Sequence, residues 1–213
     1  MGSSDSLLLA IALVAVVVSA IGAGFTYSAF TGFATATGGV NLSVETVASI
    51  NFTNMSVNWS SGRVNVGSPN ATLDTAAASV TNGNWTAVSS GLIIQNIGNT
   101  NTTLNLSFGK TAATFVGGTS PLYQYNVTNL EANSCLNTSG GTNETTVNLS
   151  MWKNTNTAAA GDFTCGLFQF KDTADTIEID IKLVVPSDAT TGVLGDLVTA
   201  TANACVLAAG ACT

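Results

Sequence analysis

The sequence predicts an α+β chain, with a long hydrophobic N-terminal helix over residues 1–38 followed by an all-β sandwich head over residues 39–213. Three observations predict it. Asp5 is the only charged side chain before Glu45, and the stretch from Leu7 to Phe33 is almost wholly apolar or small. Beyond it the chain is rich in Asn, Thr, Ser and Gly, with short alternating segments between turn residues. Charged residues make up 8% of the chain against a usual figure of about 25%, yet hydrophobic residues make up 46%, which is enough to build a core.

The helix comes first. Leu7 to Phe33 is long enough to cross a bilayer core of about 30 Å, which takes roughly 20 apolar residues, and a helix from Ser3 to Thr37 would measure on the order of 50 Å. A helix apolar on every side has to be buried on every side. Ala20, Gly24, Ser28 and Gly32 recur at four-residue spacing, a ridge of small residues over which helix backbones approach closely. That ridge points to assembly of helix on helix, with a membrane span as the alternative. A secretory signal would open with a basic region, whereas no Lys or Arg precedes Arg63. Asp5 falls in the first turn, where a carboxylate meets the positive end of the helix dipole and Ser3 or Ser4 serves as N-cap.

The opening "MGSSDSLLLAIALVAVVVSAIG" resembles the type IV pilin superfamily, and more closely the archaeal pilins and archaellins. The resemblance implies that Met1 follows a cleaved basic leader. It also implies that Asp5 stands where bacterial members usually carry Glu, which meets the N-terminal amine of a neighbour. Function follows from the same likeness. The expected protein is a structural subunit of an extracellular surface filament, inserted in the membrane as a precursor and polymerising with identical copies through its N-terminal helix, for adhesion or surface attachment. The alternatives are an archaellin of a motility filament, or a single-span membrane-anchored surface binding domain.

Asparagine marks the head. Of 21 Asn residues, 12 open an Asn-x-Ser/Thr sequon: Asn41, Asn51, Asn54, Asn58, Asn70, Asn84, Asn101, Asn105, Asn126, Asn137, Asn143 and Asn148. With 51 Ser and Thr residues, chance placement would give about five. In nine of the twelve the middle residue is apolar, as in Asn58-Trp59-Ser60 and Asn84-Trp85-Thr86. Alternate side chains of a strand face opposite ways, so the Asn and hydroxyl residues should share an outer face while the middle residue points inward. Covalent N-linked glycans at several of these positions are expected to keep a nearly uncharged surface soluble. No sequon follows Asn148, which is expected to leave the last part of the chain to lie against neighbouring copies.

The four cysteines, Cys135, Cys165, Cys205 and Cys212, allow three connectivities, and the pairing Cys135 to Cys165 with Cys205 to Cys212 is expected. Segments such as "GLIIQNIG", "TTLNLSF", "LYQYNVT", "CGLFQF" and "TIEIDIKLVV" alternate between turn signals, the pattern of a sandwich. Further strands are expected at "VNLSVETVASINF", "RVNVG" and "NWTAV". "GLIIQNIGNTNTTLNLSF" looks like the hairpin of immunoglobulin-like domains in archaeal surface proteins, and "IKLVVPSDATTGVLGDLVTATA" looks like their closing strand, turn and strand. The head is therefore expected to be an immunoglobulin-like sandwich.

Several function classes are disfavoured. The net charge of −7 argues against nucleic acid, which needs a basic face. No catalytic residue, metal ligand or cofactor is expected, because the chain has no His to build a Ser-His or Cys-His nucleophile and its cysteines are expected to be paired. The densest acidic cluster is Asp172, Asp175, Glu178 and Asp180. A calcium loop or a glycosidase pair would use such residues, but Glu178, Asp180 and Lys182 alternate with Ile177, Ile179, Ile181 and Leu183, which reads as the solvated face of a strand.

Overall fold

Alternation governs the fold. The computed structural model describes residues 13, 15, 42–136, 150–205, 207–208 and 211–212, and among them the chain is β-rich. The strands are β1 (Ile50–Asn54), β2 (Asn70–Asp74), β3 (Ser79–Thr81), β4 (Leu92–Asn96), β5 (Thr102–Phe108), β6 (Leu122–Asn129), β7 (Cys135–Leu136), β8 (Lys153–Asn154), β9 (Asp162–Phe168), β10 (Thr176–Pro186), β11 (Val198–Ala204), β12 (Leu207–Ala208) and β13 (Ala211–Cys212). One short helix with defined ends, α1 (Ala112–Phe115), stands beside them, opened by a capping box between Thr111 and Thr114.

The expected α+β class is corrected to a β-rich, sandwich-like fold. The described residues contain no helix long and apolar enough to cross a membrane. The expected helix over residues 1–38 lies outside the described residues except at Leu13 and Ala15, which have helical backbone. The chain divides into two compact units, Met1–Val44 and Glu45–Thr213, and the second is the head.

β10 is the spine of a seven-stranded sheet. Its residues Ile177–Ile179 pair with both β4 and β6, and Lys182–Val184 pair with both β2 and β6. A strand has two edges, so β4 and β2 must share one edge of β10, one after the other, while β6 runs along the second. β1 extends the sheet beyond β4, β3 beyond β2 and β8 beyond β6. Ile177, Ile179, Ile181 and Leu183 all face the core, as the period of two requires.

The second sheet runs β11-β5-β9-β7. Leu104, Leu106 and Phe108 of β5 are buried, and Phe108 meets two rings of the first sheet, Tyr123 at 5.5 Å between centroids and Tyr125 at 4.9 Å. These contacts join the two sheets. The segment expected as a hairpin instead crosses between sheets, with β4 in the first and its successor β5 in the second; β10 and β11, expected as a strand, turn and strand, likewise lie in different sheets. Asn96 holds the first crossing. Its buried amide donates to the Thr100 and Phe168 carbonyls at 3.1 and 3.2 Å and accepts from the Gly98 amide at 3.1 Å.

Three other strand expectations are corrected. Only Ile50–Asn54 forms a strand at the end of "VNLSVETVASINF", "RVNVG" contributes a lone bridge from Val64 to Gly83, and "NWTAV" forms none. β2 and β3 were not anticipated, although "NATLD" alternates, with Ala71 and Leu73 buried. Cys135 of β7 and Cys165 of β9 are disulfide-bonded with Cα atoms 5.8 Å apart, as expected. Cys205 is disulfide-bonded too, while the Cys212 side chain lies outside the described residues.

Candidate functional site

The residues expected to carry assembly, Asp5, Ala20, Gly24, Ser28 and Gly32, lie outside the described residues, as do the sequon residues Asn41, Asn137, Asn143 and Asn148. The other eight sequons fall in the head and differ in environment. Asn51, Asn58 and Asn84 are exposed. The Asn58 carbonyl oxygen accepts from the Ser60 amide at 2.8 Å, and that of Asn84 accepts from the Arg63 amide at 2.7 Å. Each leaves its amide nitrogen, the atom that would carry a sugar, turned away from these bonds.

Asn70, Asn101 and Asn105 are half-buried, and Asn105 donates to the Ala160 carbonyl at 3.0 Å. Asn54 donates to the Gly91 carbonyl at 2.6 Å. Here the expected alternation fails, because the pairing shifts register between Phe52 and Asn54 and leaves Met55 exposed. Asn126 departs furthest. It is 7% exposed, and its carbonyl oxygen has no hydrogen-bond partner among the described residues.

The acidic strand face is also corrected. Asp180 is 4% exposed, not solvated, and accepts from the Thr75 hydroxyl at 2.7 Å, while that hydroxyl oxygen accepts from the Ile181 amide at 2.9 Å. Burial holds Asp180 above the usual carboxylate range; the Thr75 hydrogen bond opposes this, and the charges of Glu178 and Asp74 add to it. Glu178 accepts from the Gly91 amide at 2.8 Å. Lys182 pairs with Asp74 at 2.9 Å and lies 3.9 Å from the centre of the Trp152 ring. Asp175 is buried and accepts from Gln95 and Thr176, whereas Asp172 is exposed. These carboxylates are tied to strands by hydroxyl and amide donors, so the cluster serves structure.

A large concavity lies elsewhere in the head. Residues 55–69 and 187–198 form two long loops over the inner face of β2, β6 and β10, and they enclose a cavity of about 1410 Å³. Local chemistry explains the first loop. Ser60 takes a left-handed φ of 62°, stabilised by the Asn58 side chain, and this turn sends Trp59 inward. Residues 59–65 then run alongside 82–86, joined by bonds from the Thr86 amide to the Trp59 carbonyl, the Asn84 amide to the Arg63 carbonyl and the Asn65 amide to the Asn82 carbonyl. The Trp85 indole lies between Gly62 and Gly83. A Cβ at Gly62 would overlap Cγ of the ring, and one at Gly83 would sit 2.7 Å from Cε3.

Two Asn-Trp-Ser/Thr triplets thus put Asn outside and Trp on the cavity wall, through loop and turn geometry and not through strand alternation. Phe115 of α1 and Tyr123 of β6 continue that wall, with ring centroids 4.9 Å apart. Two polar atoms in the lining residues are buried without a partner among the described residues: the Trp59 indole nitrogen and Oδ2 of Asp196. Burial, then the adjacent Asp196 carboxylate, pushes the Tyr123 phenol well above its ordinary value, so it stays protonated.

Compared with known proteins, the chain matches no family model, no curated protein and no solved structure. The reading of the site therefore rests on its own chemistry. Sequence reasoning did not single out Asp196 or Tyr123. The signal available was the run "TTGVLGDL", which places exposed Val193 and Leu197 between turn residues and so marks a loop with an apolar surface.

Proposed function

We propose that the chain is a structural subunit of an extracellular surface filament of the archaeal type IV pilin kind, assembling with identical copies through its apolar N-terminal segment and serving adhesion or surface attachment. One observation carries the reading: a stretch with no charge between Asp5 and Glu45 is joined to a β head whose exposed sequons include Asn51, Asn58 and Asn84. Burying the apolar segment among copies favours polymerisation by about 25 cal/mol per Å² as an upper figure, since the segment leaves lipid rather than water. The head's disulfides fit an oxidising compartment, and N-linked sugars on an outer face would keep the polymer soluble.

Negative-stain microscopy of the purified full chain tests this. Uniform filaments are expected, and discrete monodisperse particles would overturn the proposal. Gly24→Leu, which adds bulk to the row of small residues, is expected to block assembly; filaments of unchanged length and number would remove that row from the account.

A further inference from the structure

We propose that the cavity beneath residues 55–69 and 187–198 is a binding site for a neutral oligosaccharide. The walls are aromatic: Trp59, Trp85, Phe115 and Tyr123 all line it. The apolar C–H face of a sugar ring packs flat against such rings. The lining is about half apolar and half polar, with Ser, Asn and Thr from both loops beside the rings, which suits a molecule with an apolar face and several hydroxyls. At about 1410 Å³ it has room for more than one sugar ring.

The polar groups select the ligand. Trp59 is 9% exposed, and its indole N–H, a donor only, has no partner among the described residues; Oδ2 of Asp196, an acceptor only, is likewise buried and unpaired. A buried polar atom left unpaired loses its water without replacement, so the site calls for a molecule that both accepts and donates. A hydroxyl does both from one atom, and a sugar ring carries several around an apolar face. A hydrocarbon chain would leave both atoms unpaired. Arg63 and Asp196 both line the cavity, so its formal charges balance and favour an uncharged ligand. The mouth is open: Val66 and Val193 line it and are exposed.

The inference deepens the surface-attachment reading, since it names the class of molecule attached to. Its test is titration of the full-length chain with maltotriose, chitotriose and mannotriose, read by tryptophan fluorescence and by saturation transfer to the sugar protons. At least one trisaccharide is expected to bind saturably. Trp59→Phe, which keeps an aromatic ring but removes the pyrrole ring and its N–H, and Asp196→Ala should each weaken binding about tenfold or more, while Trp152→Phe, on the opposite face of the sheet, should not. If Trp59→Phe lowers the thermal midpoint, Asp196→Ala in its exposed loop decides alone. Failure of all three sugars to bind, equal affinity in wild type and Asp196→Ala, or an anilinonaphthalene dye that binds without displacement by any sugar would each overturn the proposal. Micrographs of the same samples report filaments independently, so loss of sugar binding and loss of the filament reading are distinguishable.

Discussion

Asp180 shows what a single buried acid does to a nearly uncharged protein. Burial raises its affinity for a proton in the folded state, so the stabilisation from that proton is complete below the unfolded value of about 3.9 and is lost as pH rises through the higher folded value. Asp180→Asn keeps an acceptor for Thr75 and removes the charge. Its thermal midpoint at pH 7 should therefore exceed that of the wild type by about 2–4 °C, the response to about 1 kcal/mol in a chain of this size. At pH 3 the difference should vanish; an equal gain at both values would remove the charge from the explanation. Asn126 makes a second point at this scale. A sequon is legible in three letters, but accessibility is not, and its side chain is buried between strands. Glycopeptide mass spectrometry should find sugar at Asn51, Asn58 and Asn84 and none at Asn126. Occupancy of Asn126 equal to that of Asn58 would show that modification ignores the folded environment.

Among the elements, the long alternating segments and the apolar run of β4 were legible. β4, β5, β6 and β10 follow the expected segments closely, because a strand buried on one face writes its period into the sequence. β2 and β3 were not anticipated, since "NATLD" and "SVT" are short; they pair with each other as a local hairpin, and only β2's second partner, β10, lies far along the chain. The crossing from β4 to β5 was misread as a hairpin, because a turn sequence records that the chain bends, not which strand it next pairs with. Gly91 shows how tightly these elements are set. A Cβ there would strike the Ile179 carbonyl of the neighbouring β10 and stand 2.9 Å from the Asp180 nitrogen. Gly91→Ala should cost about 1–3 kcal/mol in urea unfolding, whereas Gly195→Ala, with open space around it, should stay within about 0.5 kcal/mol. Equal effects would mean that β4 is free to move away from β10.

For the molecule as a whole, stability is shared between a core built by both sheets and the bridge from Cys135 to Cys165. That bridge closes a separation of 30 residues, so replacing both cysteines by serine should lower stability by about 2–4 kcal/mol, measured as a fall in the denaturant midpoint at unchanged slope. A loss much below this would mean that the strands alone hold the loop ends together. The sequence by itself determined the β character of the head, its sequon spacing and the uncharged opening stretch, because periodicity, composition and residue type are local properties; of the three cysteine pairings it allowed, the structure selects Cys135 to Cys165. Only the tertiary structure decided which sequons are exposed, that Asp180 is buried, and that Trp59, Tyr123 and Asp196 meet at one cavity. These three residues come from a loop, a strand and a second loop far apart along the chain, and pairing between distant strands, not any local pattern, brings them together.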